Sequence, residues 1–354
     1  MNLAVVSLGG KSSLEIVDEA KNYFNEANNL DIRKIEVNAS SKKLSVLYDG
    51  KEMEGYGCIY IRGSYRYAFL QRSMTEALAS KAYMPLKPKS FTLAHNKFLT
   101  LLEMQKNKVP IPTTYLTATL DGAKKVLEEV NYPIIMKIPE GTQGKGVLFA
   151  DSLASARSII DTLDVFRQPY IIQEYVETDA TDIRAIVAGD KVIASMRRKG
   201  AKNDIRANIH AGGKGEKLEL NEDVESIAVK AAKSVDADIC AVDLLEGTKT
   251  MVIEVNLSPG LQGIQQATEK NIAKIIAEFL FKKAVNFNDA MKKSDYNKII
   301  NDLNHKENKE ILANLSIKSG IMKLPEIATK MTEFKNDEEV VLIAEKGKLI
   351  VKKI

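Results

Sequence analysis

An α/β protein (in the broad sense that includes α+β) of more than one unit, closing on a small β-rich segment, is the fold class that this sequence predicts. Three observations carry that expectation. Short apolar runs of strand length, such as LAVVSL at 3–8 and CIYIRG at 58–63, alternate with segments of helical spacing. The chain has 354 residues, 45% of them hydrophobic, which is more than one core usually holds. Proline clusters, PLKPKS at 85–90 and VPIP at 109–112, fall between the periodic segments and interrupt them.

The elements follow in chain order. LAVVSL reads as a first strand, and residues 13–24 after it have helical spacing. KLSVLYDG and CIYIRG read as further strands, and 70–83 as a helix. The prolines of PLKPKS place a boundary near residue 88, so 1–88 is expected to be a strand-helix domain. Ala94, Phe98, Leu101 and Leu102 recur at i, i+4, i+7 and i+8, giving a helix that VPIP stops, and TYLTATL is extended. Helices and strands then alternate to residue 287. One of these helices starts at a capping Asn221, with Glu222 and Asp223 in its first turn and an apolar stripe of Val224, Ile227, Ala228, Ala231 and Val235. Ile272, Ile275, Ile276 and Phe279 mark another. Residues 288–310 are polar and are expected to form a linker or an exposed helix. The last unit, 311–354, holds a helix at LPEIATKM with Pro325 near its start, then the strands EVVLIAE and KLIVKKI joined across Lys346 and Gly347.

Bulk properties exclude several classes of function. There are 51 basic and 47 acidic residues, well mixed, so the net charge of +4 advertises no polyanionic partner, and nucleic-acid binding is not implied. Cys58 and Cys240 stand far apart in apolar surroundings, with neither metal-ligand spacing nor a disulfide framework. They are read as reduced core residues. The amino terminus has no basic segment and too short an apolar run for a secretory signal, and nowhere do 18 apolar residues run together. The expected setting is the cytoplasm, away from any membrane.

The stretch that carries most chemistry is AVDLLEGTKTMVIEVNLSPG, 241–260, read as two strands around a turn at 247–250. If Glu246 pairs with Met251, Asp243 lies opposite Glu254, and Asn256 shares the face of Glu254. Two carboxylates facing each other among Val242, Leu244, Ile253 and Val255 repel, and a hard divalent cation would relieve that repulsion. Oxygen-only ligands with room for phosphate and water suit magnesium better than zinc. An acidic, solvated strand face is the blander reading, and the hairpin alone leaves both open. PIIMKIPEGTQGKGV, 133–147, is a strand ending in Lys137 that feeds a loop with Gly141, Gly144, Lys145 and Gly146, whose amides can approach phosphate. An ordinary glycine-rich loop is its alternative. PYIIQEYV, 169–176, ends an apolar strand at Glu174 and Tyr175, where backbone could read an adenine edge or simply pack. In DIRANIHAGG, 204–213, Arg206 is a permanently charged fork suited to a transferring phosphoryl group and Asn208 a neutral donor and acceptor, while His210 is read as structural. GGKSS at 9–13 is not a Walker A motif, because Val5 stands where that motif needs glycine. Arg62, Arg66 and Arg72 could meet substrate carboxylates or form a solvated face.

Taken in order, EGTQGKGV, QEYV, DIR, IRANIHAGG and EVNLSPGLQGI resemble the RimK-like branch of the ATP-grasp ligases, over residues 90–287. The resemblance implies an ATP-grasp fold at 89–287, preceded by a small strand-helix domain, and an enzyme using ATP and magnesium, or manganese. It implies that an amino acid such as glutamate is added through its amine to a carboxylate on a small molecule or a protein or cofactor tail. It also implies that Lys97 and Lys137 hold ATP phosphates, that Glu174 and Tyr175 meet the adenine, and that Asp182 contacts the nucleotide. Arg206 and Asn208 then face the phosphates, Arg206 as the catalytic cation, and Asp243, Glu254 and Asn256 bind the metal. One departure is Asn96, where the family often has Asp before the lysine. Segment 311–354 resembles a swapped-hairpin module of the AbrB kind, with Asn336 and Asp337 in place of the usual glycine-aspartate, which implies a homo-oligomer. The expected chemistry is carboxylate phosphorylation, then amine attack on the acyl phosphate. A nucleotide-sensing or DNA-binding regulator is the alternative from another class, and the full set of metal and phosphate residues argues against it.

Overall fold

Four consecutive apolar residues, Leu3 to Val6, are fully buried and need a sheet covered on both faces, which is what a parallel arrangement provides. The structure is a computed structural model that describes residues 1–137, 147–165, 169–200, 214–304, 316–319, 321–332 and 334–354. Strand β1 (Asn2–Ser7) lies between two parallel neighbours, β2 (Ala27–Asp31) and β6 (Tyr56–Ile61). Helix α1 (Lys11–Ala20) buries Ile16, Val17 and Ala20. Between β2 and β6 runs a small antiparallel sheet of β3 (Ile35–Ala39), β4 (Leu44–Tyr48) and β5 (Lys51–Glu52). Helix α2 (Ala68–Leu78) follows, then α3 (Pro88–Leu93) with proline at its first turn and α4 (Lys97–Lys106).

Two antiparallel sheets come next. The first has the order β7-β10-β8-β9, built from β7 (Thr114–Thr117), β8 (Ile134–Lys137), β9 (Val147–Ala150) and β10 (Tyr170–Glu174). Helices α5 (Leu120–Glu129) and α6 (Leu153–Asp164) pack on it, and Ala123, Leu127, Ile134, Met136, Ile160 and Tyr170 are among the residues of a separate small core. The second sheet has the order β13-β12-β11-β14-β15, from β11 (Thr181–Ala188), β12 (Lys191–Lys199), β13 (Lys214–Lys217), β14 (Ile239–Glu246) and β15 (Thr250–Asn256). Helix α7 (Glu222–Ser234) is capped as expected: the Asn221 side chain accepts from the Val224 N–H at 2.9 Å. Its Ala228 and Ala231 are buried, as is Val235 just beyond it. Helix α8 (Gln262–Thr268) and the long α9 (Ile272–Asn304) follow, α9 running through much of the stretch expected to be polar linker or exposed helix. The core of β1, β2 and β6 is continuous with that of β11, β14 and β15.

The serines of GGKSS fasten these parts together. Ser12 Oγ accepts from Leu261 N–H at 2.8 Å, and Gly63 N–H donates to Ser258 Oγ at 2.9 Å. Arg62 is buried and donates to Ser13 Oγ, to the Tyr60 hydroxyl and to the Pro259 carbonyl at 3.0, 3.1 and 2.7 Å. That overturns both readings of Arg62 as a solvated residue or a carboxylate ligand; it clamps the segment just after Asn256. Cys58 and Cys240 are free and buried, and burial pushes both thiols far up. Among the described residues no helix is long and apolar enough to cross a membrane.

Contacts divide the chain into Met1–Phe287 and Asn288–Ile354. The second unit contains β16 (Ser316–Lys318) paired with β17 (Ile321–Lys323), α10 (Glu326–Thr332), and the hairpin β18 (Val340–Glu345) with β19 (Lys348–Lys353). The last turn uses Gly347 at φ +78°, where a side chain would be strained.

Candidate functional site

The β14–β15 hairpin does bring Asp243 opposite Glu254, but by another route than the sequence suggests. Glu246 pairs with Thr250 rather than with Met251, so the turn is one residue tighter. A bulge between Asp243 and Leu244 takes up the difference, leaving Ile253 as the extra residue, and restores the facing of the two carboxylates. Gly247 begins the tight turn because a side chain has no room there: a Cβ would lie 2.7 Å from Val176 Cγ1.

Asp243 is buried at the centre of a row of charges that the sheet register lays out. Arg184 on β11 faces Asp243, and Asp182, two residues earlier on the same face, is opposite Arg198 on β12. Arg184 donates to both Asp243 oxygens at 2.8 and 2.7 Å, and Arg198 reaches Asp243 at 3.1 Å. Arg198 also donates to both oxygens of Asp182 at 2.5 and 2.7 Å. Burial pushes the Asp243 carboxyl up, yet Arg184 and Arg198 together outweigh it and hold it down. At Asp182 burial prevails over Arg198, helped by the Asp243 charge, and the carboxyl is raised. The Asn256 amide lies 3.4 Å from Asp243.

Glu254 differs from its neighbour. Among the described residues no group donates a hydrogen bond to it, and burial and the Asp243 charge raise its pKa against the pull of Lys97, Arg184 and Lys137. Lys97 opens α4, and the residue before it, Asn96, accepts from the Phe98 and Leu99 N–H groups at 3.1 and 3.0 Å. Asparagine caps a helix as well as aspartate does, so the departure at 96 keeps the local geometry that presents Lys97. Lys137 ends β8 and donates to Gln173 Oε1 at 2.8 Å. Burial first, and the Lys97 charge second, lower its pKa to about 8 against Glu254.

Of the residues singled out from sequence, Lys97, Lys137, Asp182, Asp243, Glu254 and Asn256 come together here. Glu174 and Tyr175 stand at the end of β10 on the other sheet. Glu174 accepts from Thr113 N–H at 3.3 Å, and the Tyr175 ring meets Phe149 edge-on at 5.3 Å. Arg206, Asn208 and His210, with the glycine-rich stretch and Lys145, lie outside the described residues. Arg66 is exposed, and Arg72 donates to Thr92 Oγ1 at 2.8 Å beside a cavity of about 770 Å³ lined also by Tyr65, Phe69 and His95. Sequence reasoning misses Arg184, Arg198 and Gln173; the alternation of Asp182 and Arg184 in a mostly buried strand is the signal that points to Arg184.

A hard cation fits the donor chemistry. Among the described residues no group of three or more His, Cys, Asp and Glu could enclose a metal by itself. Asp243, Glu254 and the Asn256 amide oxygen offer an incomplete, all-oxygen set, and Glu254 is a half-buried carboxylate to which no described residue donates.

Known proteins resemble this chain in sequence and fold. The model of the RimK-like ATP-grasp domain matches residues 94–280. A probable alpha-L-glutamate ligase of Methanococcoides burtonii is 33% identical over 288 residues, covering 80% of this chain and 96% of that protein. Another, from Thioalkalivibrio sulfidiphilus, is 32% identical over 290 residues, covering 80% and 96%. Among solved structures, the ATP-grasp ligase PsnB complexed with minimal precursor, Mg and ADP is similar with a TM-score of 0.62 at 18% identity, covering 80% of this chain and 98% of that one.

Proposed function

Since the chain belongs to the RimK-like ATP-grasp family and is an ATP-dependent carboxylate-amine ligase, we propose that it adds an amino acid, glutamate first among the candidates, to a carboxylate at a protein or cofactor tail through an acyl phosphate. A carboxylate oxygen attacks the γ-phosphorus of ATP and ADP leaves. The amine nitrogen then attacks the activated carbonyl, phosphate departs with the bonding electrons, and the amine proton goes to solvent or phosphate. No nucleophilic side chain is required.

The observation that supports this reading best is the meeting of Lys97 and Lys137 with the facing pair Asp243 and Glu254. In the proposal, both lysines hold ATP phosphates, and Arg206 stabilises the moving phosphoryl group with Asn208 beside it. Glu174 and Tyr175 take the adenine, and Asp182, with its partner Arg198, lies along the nucleotide. Asp243, Glu254 and Asn256 would hold magnesium, or manganese, which offsets phosphate charge when bound. Segment 89–287 is then the catalytic part, 1–88 the domain ahead of it, 288–310 the connection and 311–354 an assembly module of a homo-oligomer working in the cytoplasm. A regulator that merely senses nucleotide gains nothing from relatives named as ligases.

Hydroxylamine tests the proposal without knowledge of the amine. With ATP, magnesium and an extract fraction supplying the carboxylate, the protein should release ADP and a hydroxamate in equal amounts, and Arg206→Ala should lose both. Tight ATP binding with neither product over a broad range of acids would sink the acyl-phosphate mechanism.

A further inference from the structure

We propose that Gln173, itself held by Thr114, is the positioning residue that aims the Lys137 ammonium into the nucleotide site. This inference rests on the reading of Lys137 as a phosphate-binding lysine and adds what orients it. Three neighbouring strands supply the parts. Thr114 on β7 is directly opposite Gln173 on β10, and Gln173 is opposite Ile135 on β8, two residues before Lys137. The period of two along a strand therefore puts Thr114, Gln173 and Lys137 on one face, as a rung across the sheet.

Hydrogen counting fixes the direction of the rung. Thr114 Oγ1 donates its one proton to the Pro112 carbonyl at 2.8 Å. Toward Gln173 it can then only accept, and the Gln173 amide nitrogen stands 2.7 Å away. The amide is thereby oriented with its oxygen on the opposite side, where it accepts from Lys137 Nζ at 2.8 Å. A flipped amide would set two donors against the ammonium and leave no proton for Thr114 to accept, so the Pro112 carbonyl, through Thr114, decides which end of Gln173 meets the lysine. Gln173 is 4% exposed, so water does not compete freely for either end. Among the described residues, the charged groups acting on Lys137 are Lys97 and Glu254, on α4 and β15, and neither is hydrogen-bonded to it in place of this acceptor. Burial works against the charged lysine, and an aligned amide oxygen helps to retain the proton that phosphate binding needs.

The test is calorimetric binding of magnesium with a non-hydrolysable ATP analogue to the full chain and its variants. Gln173→Leu and Thr114→Val should each weaken binding about ten-fold, the size expected for a hydrogen bond to a charged group. Thr114→Ser, which keeps the hydroxyl, should restore the affinity. In the Lys137→Ala background neither Gln173→Leu nor Thr114→Val should weaken binding further, because both act through the lysine. The alkaline fall in affinity should also begin at lower pH in Gln173→Leu. Losses that persist undiminished in the Lys137→Ala background would overturn the positioning role, as would unchanged affinity in Thr114→Val should Gln173→Leu not fold. If Lys137→Ala alone left the affinity unchanged, the phosphate role of that lysine would fall, and this inference with it. Weakening by Lys137→Ala without weakening by the other two would remove the inference and keep the role.

Discussion

The Asp243 carboxylate is held from two sides by Arg184 and Arg198, whereas Glu254 across the hairpin has no donor among the described residues. Their amides should therefore separate fold from function. Glu254→Gln removes a carboxylate that burial disfavours, so it should cut magnesium-dependent ADP release by on the order of a hundred-fold with no loss of stability in urea. Asp243→Asn should lower activity as far but also destabilise the fold by about 3 kcal/mol, since it strips a buried anion from two guanidinium groups. Equal urea midpoints for the two variants would refute that division. Lys137 offers a pH test. With its pKa lowered to about 8, the free enzyme loses the ammonium as pH rises through that value, and nucleotide affinity should decline above pH 8 in the wild type but stay flat in Lys137→Met. The stability sign is opposite: the fold binds fewer protons here than the unfolded chain between about pH 8 and the ordinary lysine range, so Lys137 favours folding more as pH rises through that window. The facing of Asp243 and Glu254 was legible because strand period is two and acidic side chains stood among apolar ones. Arg184 and Arg198 were not picked out because their partners depend on which strands become neighbours, and adjacency of β11 to β12 and β14 is settled by the whole sheet.

At the scale of the element, the β14–β15 hairpin shows how a correct destination can be reached through a wrong turn. The sequence marks both strands and the glycine between them, but a bulge leaves no local signature when the flanking residues, here Leu244 and Ile253, are as apolar as the strands around them. The expected pairing of Glu246 with Met251 and the observed pairing with Thr250 differ by one residue, and Ile253 absorbs it. What local sequence also could not reveal is the reason for Gly247, which is contact with Val176, distant in the chain. Gly247→Ala should therefore destabilise the protein by about 1–3 kcal/mol, the usual range for overpacking. Because the clash is with one methyl group, Val176→Ala in the same chain should recover most of that loss. Urea unfolding of the two single variants and the double would show it, and additive losses would place the strain elsewhere. The helix starts were easier to read. Asn221 caps α7 through its own side chain, an interaction that needs no distant partner.

Across the whole molecule, the strand-helix alternation was legible from periodicity, but the continuity of one core from β1, β2 and β6 to β11, β14 and β15 was not, since it joins residues far apart in the chain. The second unit poses a different question. From Asn288 onward no residue whose burial is described is buried. The hairpin β18–β19 carries Leu342, Ala344, Leu349 and Val351 on one face and Val341, Ile343 and Ile350 on the other. Leu342 remains 62% exposed, which a short segment does not sustain in water for lack of a core. A second copy of the same hairpin would cover these faces with like residues, in keeping with the proposed assembly module. The residues assigned to nucleotide and metal all precede Asn288, so removing 311–354 should separate assembly from binding. The full chain should show a mass in solution of at least two chains by light scattering, and the truncated chain the mass of one. Affinity for magnesium with the ATP analogue should change less than about two-fold on truncation, far below the ten-fold steps that single hydrogen bonds to charge produce. A truncated chain with the same multiple of its own mass would assign assembly to residues before 311. Loss of nucleotide binding together with the mass change would instead show that binding depends on assembly, and the separation of the two roles would fail.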